Sequence, residues 1–169
     1  RGIRTINSFF NKKICHKIKK IYGHPKIITG SNVFAHIDNL DDFFKNIKTL
    51  LRSDGILIIE VPYFLNLIRN LEYDTIYHEH LSYITLLPLI KYLNKKNLEI
   101  FDVEEKDIHG GSIRIFIAFK KEFKKSNRLK NILFKEKRAK LNDMKNLLRF
   151  SKKVKENRIQ LVNLLLKLK

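Results

Sequence analysis

Histidine, tyrosine and acidic side chains are concentrated in one short stretch of the chain. Residues 73–80 read YDTIYHEH, which places Tyr77, Glu79 and His80 within four positions. A neutral imidazole can accept a proton near physiological pH, because the ordinary pKa of histidine is about 6.5. A carboxylate beside it can orient the ring or bind hydroxyl groups of a ligand. These residue types indicate a polar ligand site with a candidate group for proton transfer.

A metal site is the main alternative use of these histidines. His78 and His80 flank Glu79, but this spacing differs from the His-Glu-x-x-His pattern of zinc hydrolases. The chain contains one cysteine, Cys15, which excludes both a multi-cysteine zinc site and a disulfide framework within the chain. We therefore expect these residues to bind no metal.

The element that must position this stretch is the apolar segment before it. Residues 55–61 read GILIIEV, and the following Pro62 cannot donate a hydrogen bond to a neighbouring strand. The segment is therefore predicted to be a buried strand that ends near Pro62. In an open α/β sheet, loops at the carboxyl ends of strands bring polar groups together in a crevice. Residues 73–80 are expected to contribute to such a crevice.

The remaining elements follow from the spacing of apolar residues. The predicted helices cover residues 8–21, 40–51, 64–72 and 88–95, and the predicted strands cover residues 26–29, 55–61, 98–103 and 112–119. Asn7 and Ser8 are expected to cap the first helix, and Pro88 is tolerated in the first turn of the fourth. No helix separates the last two strands, so we expect them to form an antiparallel pair. The order is that of half a doubly wound α/β sheet.

The end of the chain has a different composition. Residues 120–169 carry 18 lysines and arginines against 4 acidic residues, whereas residues 1–119 carry 17 against 13. Clustered cations can bind nucleic acid, but here they alternate with periodic leucines and few aromatic residues, so a solvated helix face is the favoured interpretation. We predict helix over residues 128–168, with either a break or packing against a further partner, because one straight rod would be about 60 Å long.

Composition also indicates the cellular compartment in which the protein is expected. No apolar run reaches the roughly 18–20 residues that cross a membrane, and no signal-peptide pattern is visible. A single cysteine fits a reducing compartment. We expect a cytoplasmic protein without a membrane partner.

Four ordered blocks of sequence carry a family resemblance. They are residues 31–39 (SNVFAHIDN), 53–63 (SDGILIIEVPY), 77–83 (YHEHLSY) and 109–114 (HGGSIR). Together they resemble the S-adenosylmethionine-dependent sugar C-methyltransferase family. The resemblance implies the second half of a Rossmann-like class I methyltransferase sheet with an antiparallel terminal strand pair, followed by a basic helical tail. It also implies S-adenosylmethionine as cofactor and a nucleotide-linked keto-sugar as substrate.

The resemblance also implies roles for individual residues. His80 is expected to be the base that forms a sugar enolate, with Tyr77 and Glu79 beside it. The expected substrate-binding residues are His36, Tyr63, His109, Ser112 and Arg114, and the expected cofactor-binding residues are Asn32 and Val33. The enolate would then be the carbon nucleophile that accepts the methyl group.

Several of these residues have structural alternatives. His36 is at a predicted helix start and can bond to the backbone instead of a ligand. His109 and the glycines after it can serve only to shape a turn. Arg114 can pair with an acidic side chain or hold a sugar or phosphate oxygen.

The chain also departs from the family pattern. Members of this family begin with a cysteine-rich zinc domain, continue with a glycine-rich loop after the first strand, and end with a further α/β domain. None of these three features is visible in the printed sequence. We therefore expect residues 1–122 to be a partial methyltransferase domain and residues 123–169 a basic connection to a further domain or companion chain. Zinc is expected only in the amino-terminal domain. On this view the chain alone binds the cofactor weakly and is inactive or impaired; the alternative is a non-catalytic remnant or basic interaction module.

Overall fold

A computed structural model of the protein describes residues 2–169. The helices are α1 (Lys12–Tyr22), α2 (Leu40–Leu50), α3 (Phe64–Asn70), α4 (Leu86–Asn94), α5 (Asn127–Ala139) and α6 (Met144–Leu168), and the strands are β1 (Ile27–Ser31), β2 (Ile56–Pro62), β3 (Leu98–Lys106) and β4 (Ser112–Phe119). Two 3-10 turns, Phe34–His36 and Tyr73–Thr75, lie in the loops after β1 and α3.

The four strands form one mixed sheet in the order β1, β2, β4, β3. β1 and β2 are parallel, and β4 is antiparallel to both β2 and β3. The predicted α/β fold and the antiparallel final pair are confirmed. The carboxyl ends of β1 and β2 and the amino end of β4 meet at one edge of the sheet, because Pro62 of β2 pairs with Ser112 of β4.

One face of the sheet forms most of the core. Alternate residues of β2 and β4 point to this face and are fully buried: Leu57, Ile59 and Val61 in β2, and Ile113, Ile115 and Ile117 in β4. Helices α2, α4 and α5 contribute Phe44, Leu93 and Ile132 to the same apolar cluster. Period-two alternation in β4 therefore predicts its buried face correctly.

The first helix begins one turn later than predicted. Asn11, rather than Asn7 or Ser8, is its N-cap, and the Asn11 Oδ1 atom accepts a hydrogen bond from the Ile14 amide at 3.0 Å. The predicted start at residue 8 is wrong, because the apolar spacing continues before Asn11, the residue whose side chain bonds to the first free amides of the helix.

The third helix, α3, ends earlier than predicted. It stops at Asn70 and not at residue 72, because Leu71 adopts a left-handed conformation with φ of 60°.

The predicted helical tail is confirmed, and of its two expected arrangements the structure has the break, which separates two helices. Lys140 ends α5 in a left-handed conformation, with φ of 47°, and α6 starts at Met144 with Asp143 as its N-cap. Helix α5 buries Leu129, Ile132 and Glu136, whereas α6 buries no residue. The first tail helix is thus part of the domain core. No helix within residues 2–169 is both long and apolar enough to span a membrane.

Candidate active site

Two loops meet at the carboxyl edge of the sheet. The Ala35 carbonyl, in the 3-10 turn after β1, accepts hydrogen bonds from the Leu81 amide at 2.9 Å and the Ser82 amide at 3.2 Å. These bonds bring His36 and His80 together, with 5.1 Å between their ring centroids. Residues 44 positions apart in the sequence therefore form one imidazole pair.

Hydrogen bonds fix which nitrogen of each ring carries a hydrogen. The Nδ1 atom of His36 lies 2.8 Å from the Glu79 carbonyl oxygen, and that of His80 lies 2.8 Å from the Thr75 carbonyl oxygen. A carbonyl oxygen can only accept, so Nδ1 must donate in both rings. In a neutral ring the Nε2 atom then keeps its lone pair and can accept a proton. Each imidazole is therefore oriented by the main chain as a base with Nε2 free.

Phenol and carboxylate groups surround the His80 ring. The centroid of Tyr77 lies 4.6 Å from that of His80, and that of Tyr83 lies 6.4 Å away. The Tyr77 hydroxyl donates to Glu79 Oε2 at 3.5 Å. The predicted proximity of Tyr77 and His80 is confirmed, although residues 76–80 form a turn and not a helix. Tyr83 was not among the predicted site residues, although it lies in the same block of sequence.

A second polar pair lies at the same edge of the sheet. The Asn32 Nδ2 atom lies 3.4 Å from His109 Nε2, and both residues have positive φ, 54° and 51°. The main-chain N–H of Asn32 also donates to the Glu60 carbonyl at 2.9 Å, which connects the loop after β1 to the end of β2. The structure thus brings together a predicted cofactor-binding residue and a predicted substrate-binding residue.

The glycines after His109 have a steric role. Gly110 and Gly111 have φ of 74° and 116°, where side chains are disfavoured. A Cβ atom on Gly110 would overlap the Glu72 carboxylate, and one on Gly111 would overlap the Asn66 amide. The turn is therefore packed tightly against α3 and the residues that follow it, and this packing places His109 beside Asn32.

Tyr63 and Ser112 lie beneath the site, not on its surface. Tyr63 is 1% exposed, and its hydroxyl donates to Glu136 Oε1 at 2.8 Å. Burial, together with the nearby Glu136 charge, raises the pKa of Tyr63 well above its ordinary value. Ser112 is 0% exposed, and its hydroxyl donates to the Ile108 carbonyl at 3.1 Å. In this structure neither predicted substrate contact is accessible to a ligand.

Arg114 pairs with acidic side chains, the first of its two alternatives. Its Nη2 and Nε atoms lie 2.7 Å and 2.8 Å from Glu60 Oε2, and its Nη1 atom lies 3.5 Å from Glu104 Oε2. The three residues face each other across β2, β4 and β3, since Arg114 is in register with both glutamates. The guanidinium therefore links three strands at the base of the site.

A small apolar cavity adjoins the end of β1. It has a volume of about 190 Å³, and Ile28, Gly30, Val33 and Phe34 are among its lining residues. Gly30 adds no side chain, and its Cβ position is open space. The lining of this cavity is mainly apolar and includes Val33 but not Asn32, whose side-chain amide lies beside His109. Of the two predicted cofactor-binding residues, the structure therefore places Val33 at an apolar cavity and Asn32 next to it in the same loop.

Sequence reasoning missed one residue that supports the site. Glu136 of α5 is 2% exposed and accepts three hydrogen bonds, from the Tyr63 hydroxyl and from the Leu86 and Leu87 amides at 2.6 Å and 2.9 Å. It thus caps α4, whose own N-cap residue makes no side-chain bond. Glu136 falls at helical spacing from the buried Leu129 and Ile132. An acidic residue within that apolar stripe was the signal that could have identified it.

A half sheet with this strand order and a polar carboxyl edge defines a Rossmann-like methyltransferase domain. Residues 6–103 match the family described as methyltransferase domain, and residues 107–169 match the family described as C-methyltransferase C-terminal domain. Over 118 residues the chain is 36% identical to the C-methyltransferase NovU of Streptomyces niveus. The chain belongs to the C-methyltransferase family. The matched region covers 70% of this chain and 28% of that relative.

Proposed function

We propose that the protein carries out S-adenosylmethionine-dependent C-methylation of a nucleotide-linked keto-sugar, with His80 as the base. The observation that carries this proposal is the imidazole pair, in which both Nδ1 atoms donate to main-chain carbonyls and both Nε2 atoms remain free to take a proton. Membership of a C-methyltransferase family supports methylation at carbon. Methyl transfer to carbon requires a carbanion equivalent, which an oriented base can form beside a ketone.

The chemistry assigned to the chain is proton removal and charge stabilisation. His80 Nε2 takes the proton from the carbon next to the ketone, and the C–H electron pair moves to form an enolate. The Tyr77 ring lies beside His80, and its hydroxyl would stabilise the enolate oxygen by turning its hydrogen from Glu79 to the substrate. When bound, S-adenosylmethionine supplies an electrophilic methyl group for this carbon. The proton remains on His80 until it is released to solvent.

The cofactor is proposed to bind beside β1. Methyltransferase domains generally use S-adenosylmethionine, and Val33 lines the apolar cavity at the end of that strand. Asn32 would bond to the polar edge of the bound adenine ring, while Gly30 leaves room for it. The cofactor site and the base then lie close together, because His36 follows Val33 by three residues and its ring centroid lies 5.1 Å from that of His80.

Proton exchange at the sugar carbon tests the base directly. In deuterated solvent, the wild-type protein should exchange the acidic C–H of a nucleotide-linked keto-sugar, as seen by NMR. His80→Ala should slow exchange by about 10² to 10⁴-fold, the usual effect of removing a general base. His78→Ala is the matched control, since His78 is the adjacent exposed histidine in the same turn. Loss of exchange in His78→Ala with retention in His80→Ala would contradict the assignment.

A further inference from the structure

The main chain of one residue, Thr75, orients the proposed base. The Thr75 carbonyl oxygen lies 2.8 Å from His80 Nδ1. Within residues 2–169 this is the only hydrogen bond of the His80 side chain, since the neighbouring rings of His36, Tyr77 and Tyr83 pack against it without one. An imidazole that lacks such a bond can carry its hydrogen on either nitrogen. The position of this carbonyl oxygen therefore decides whether Nε2 keeps the lone pair that takes a proton.

The Thr75 side chain holds that carbonyl group in place. Thr75 is half-buried, and its Oγ1 atom donates to the Glu72 carbonyl oxygen at 2.9 Å. The main-chain N–H of Thr75 donates to the same oxygen, but at 3.4 Å, which is longer than an ordinary N–H···O bond. The hydroxyl therefore makes the stronger of the two contacts with Glu72. Because threonine is branched at Cβ, few orientations of its side chain are available, and this keeps the hydroxyl directed at its acceptor.

Glu72 is in turn attached to the core of the domain. Its main-chain N–H donates to the Leu67 carbonyl of α3 at 3.0 Å, and Leu67 is buried. Its carboxylate accepts a hydrogen bond from Asn70 Nδ2 at 2.9 Å. A continuous series of contacts thus leads from α3 through Glu72 and Thr75 to the ring of His80.

The loop that carries the base is attached at its other end by different bonds. There the Leu81 and Ser82 amides donate to the Ala35 carbonyl. Between the two attachments, residues 76–79 are exposed, so packing in the core does not determine the path of the loop. The path therefore depends on hydrogen bonds, and the one that reaches the His80 ring comes from Thr75.

We propose that Thr75 is a positioning residue for methylation at carbon: its hydroxyl bond to Glu72 places the carbonyl that keeps the hydrogen of His80 on Nδ1. The proposal rests on the proposed function, because that function makes His80 the base. Thr75 acts only through His80 and exchanges no proton itself. When Nε2 takes the proton from the sugar carbon, the hydrogen on Nδ1 stays in its bond to the Thr75 carbonyl.

Nitrogen-15 NMR of the histidine rings tests the proposal without any substrate. At pH 8, where an ordinary imidazole is neutral, wild-type His80 should carry hydrogen on Nδ1 and none on Nε2; its signals are identified by their absence from His80→Ala. Thr75→Val keeps the branched shape without the hydroxyl and should show a mixture of both tautomers. Thr75→Ser restores the hydroxyl and should return the hydrogen to Nδ1. An unchanged tautomer in Thr75→Val would overturn the proposal.

Exchange of the sugar C–H in deuterated solvent measures the consequence for the reaction. Thr75→Val should slow exchange by about three- to tenfold, the effect of losing one hydrogen bond of ordinary strength, and Thr75→Ser should recover most of the rate. Thr49→Val is the matched control, because Thr49 Oγ1 also donates to a main-chain carbonyl, that of Lys45, at 2.9 Å. Thr49 lies in the last turn of α2, which leads to the opposite edge of the sheet. Equal slowing in both valine variants, or no recovery with serine, would contradict the assignment.

Urea unfolding separates placement of the base from stability of the fold. Thr75→Ala also lacks the hydroxyl but adds no bulk, so it replaces Thr75→Val if the valine variant does not fold, and it should show the same mixture of tautomers. Slower exchange together with a wild-type tautomer and a lower unfolding midpoint would mean that Thr75 only stabilises the loop, and the positioning role would be wrong.

The two proposals can fail independently. If Thr75→Val mixes the tautomers while His80→Ala keeps normal C–H exchange, Thr75 positions the ring but His80 is not the base. If exchange requires His80 while Thr75→Val has the tautomer and the rate of the wild type, the base stands and the positioning role is wrong.

Discussion

The Tyr63 hydroxyl donates to Glu136 Oε1 at 2.8 Å, and both side chains are buried. Tyr63 follows the central strand β2, whereas Glu136 belongs to the first helix of the basic tail. The same carboxylate accepts hydrogen bonds from the first two main-chain amides of α4. This one carboxylate therefore joins the central strand, the tail and the helix that follows the His80 loop.

We expect Glu136→Gln to destabilise the protein by about 1–3 kcal/mol, because the new amide group would face the Leu87 amide and leave it without an acceptor. Tyr63→Phe should lower the free energy of unfolding by roughly 1 kcal/mol, since Glu136 loses one of its three hydrogen-bond donors and keeps two. Urea unfolding of the single and double variants gives the coupling between the two positions.

The matched control for this pair is Tyr73→Phe. Tyr73 also donates its hydroxyl to a tail residue, Asn157, but this bond is exposed. Its loss should change stability by less than about 0.5 kcal/mol. Additive effects of Glu136→Gln and Tyr63→Phe, with no coupling, would show that the buried bond does not contribute as inferred.

The pH dependence of stability should report on Asp102. Burial alone would raise the pKa of Asp102, but hydrogen bonds from Arg128 and Ser126 outweigh burial and hold it below the ordinary value. Because the pKa of Asp102 is lower in the folded state, its ionised carboxylate adds to the unfolding free energy at pH values above the unfolded pKa of about 3.9. This contribution is lost as the pH falls through the folded pKa. Asp102→Asn should therefore destabilise the protein at pH 7, and this difference should shrink below about pH 4.

Asp107→Asn is the control for this effect. Asp107 is exposed and forms no ion pair within residues 2–169. Its substitution should leave the unfolding free energy nearly unchanged at both pH values. An Asp102→Asn difference that stays constant from pH 7 to pH 3 would contradict linkage to this carboxyl group.

The only thiol of the chain should be protected in the folded protein. Cys15 is 0% exposed, and burial together with the nearby Asp42 charge raises the pKa of its thiol. Because the thiolate is the reactive form, we expect slow labelling by a disulfide reagent at pH 7.5 and rapid labelling in denaturing urea. Labelling in native buffer at the rate seen in urea would show that α1 is not packed as described.

The sequence predicted the fold well where a single pattern determines it. Apolar runs located β2, and period-two alternation located β4, because both strands bury one continuous apolar face. The family resemblance implied roles for both His36 and His80, but the contact between their rings is visible only in the structure. Tyr63 and Ser112 were expected at the ligand surface, but Tyr63 bonds to Glu136 and Ser112 pairs with Pro62 of β2, and local patterns do not contain such distant contacts. The cap at Asn11 was missed for a different, local reason: the apolar spacing continues before it, and Asn7 and Ser8 are also residue types that cap helices.

Gly110 provides the last prediction, because its backbone conformation favours glycine. Its φ is 74°, whereas the Glu72 carboxylate that a Cβ atom would meet is the end of a flexible side chain and can move aside. We expect Gly110→Ala to destabilise the protein by about 1–3 kcal/mol and to shift the NMR signals of the His109 ring, since the turn that places it beside Asn32 must move. Gly30→Ala is the matched control: its Cβ position is open space, so its stability should stay within about 0.5 kcal/mol of the wild type. If the two alanine variants unfold at the same urea concentration, the turn is not constrained as the structure indicates.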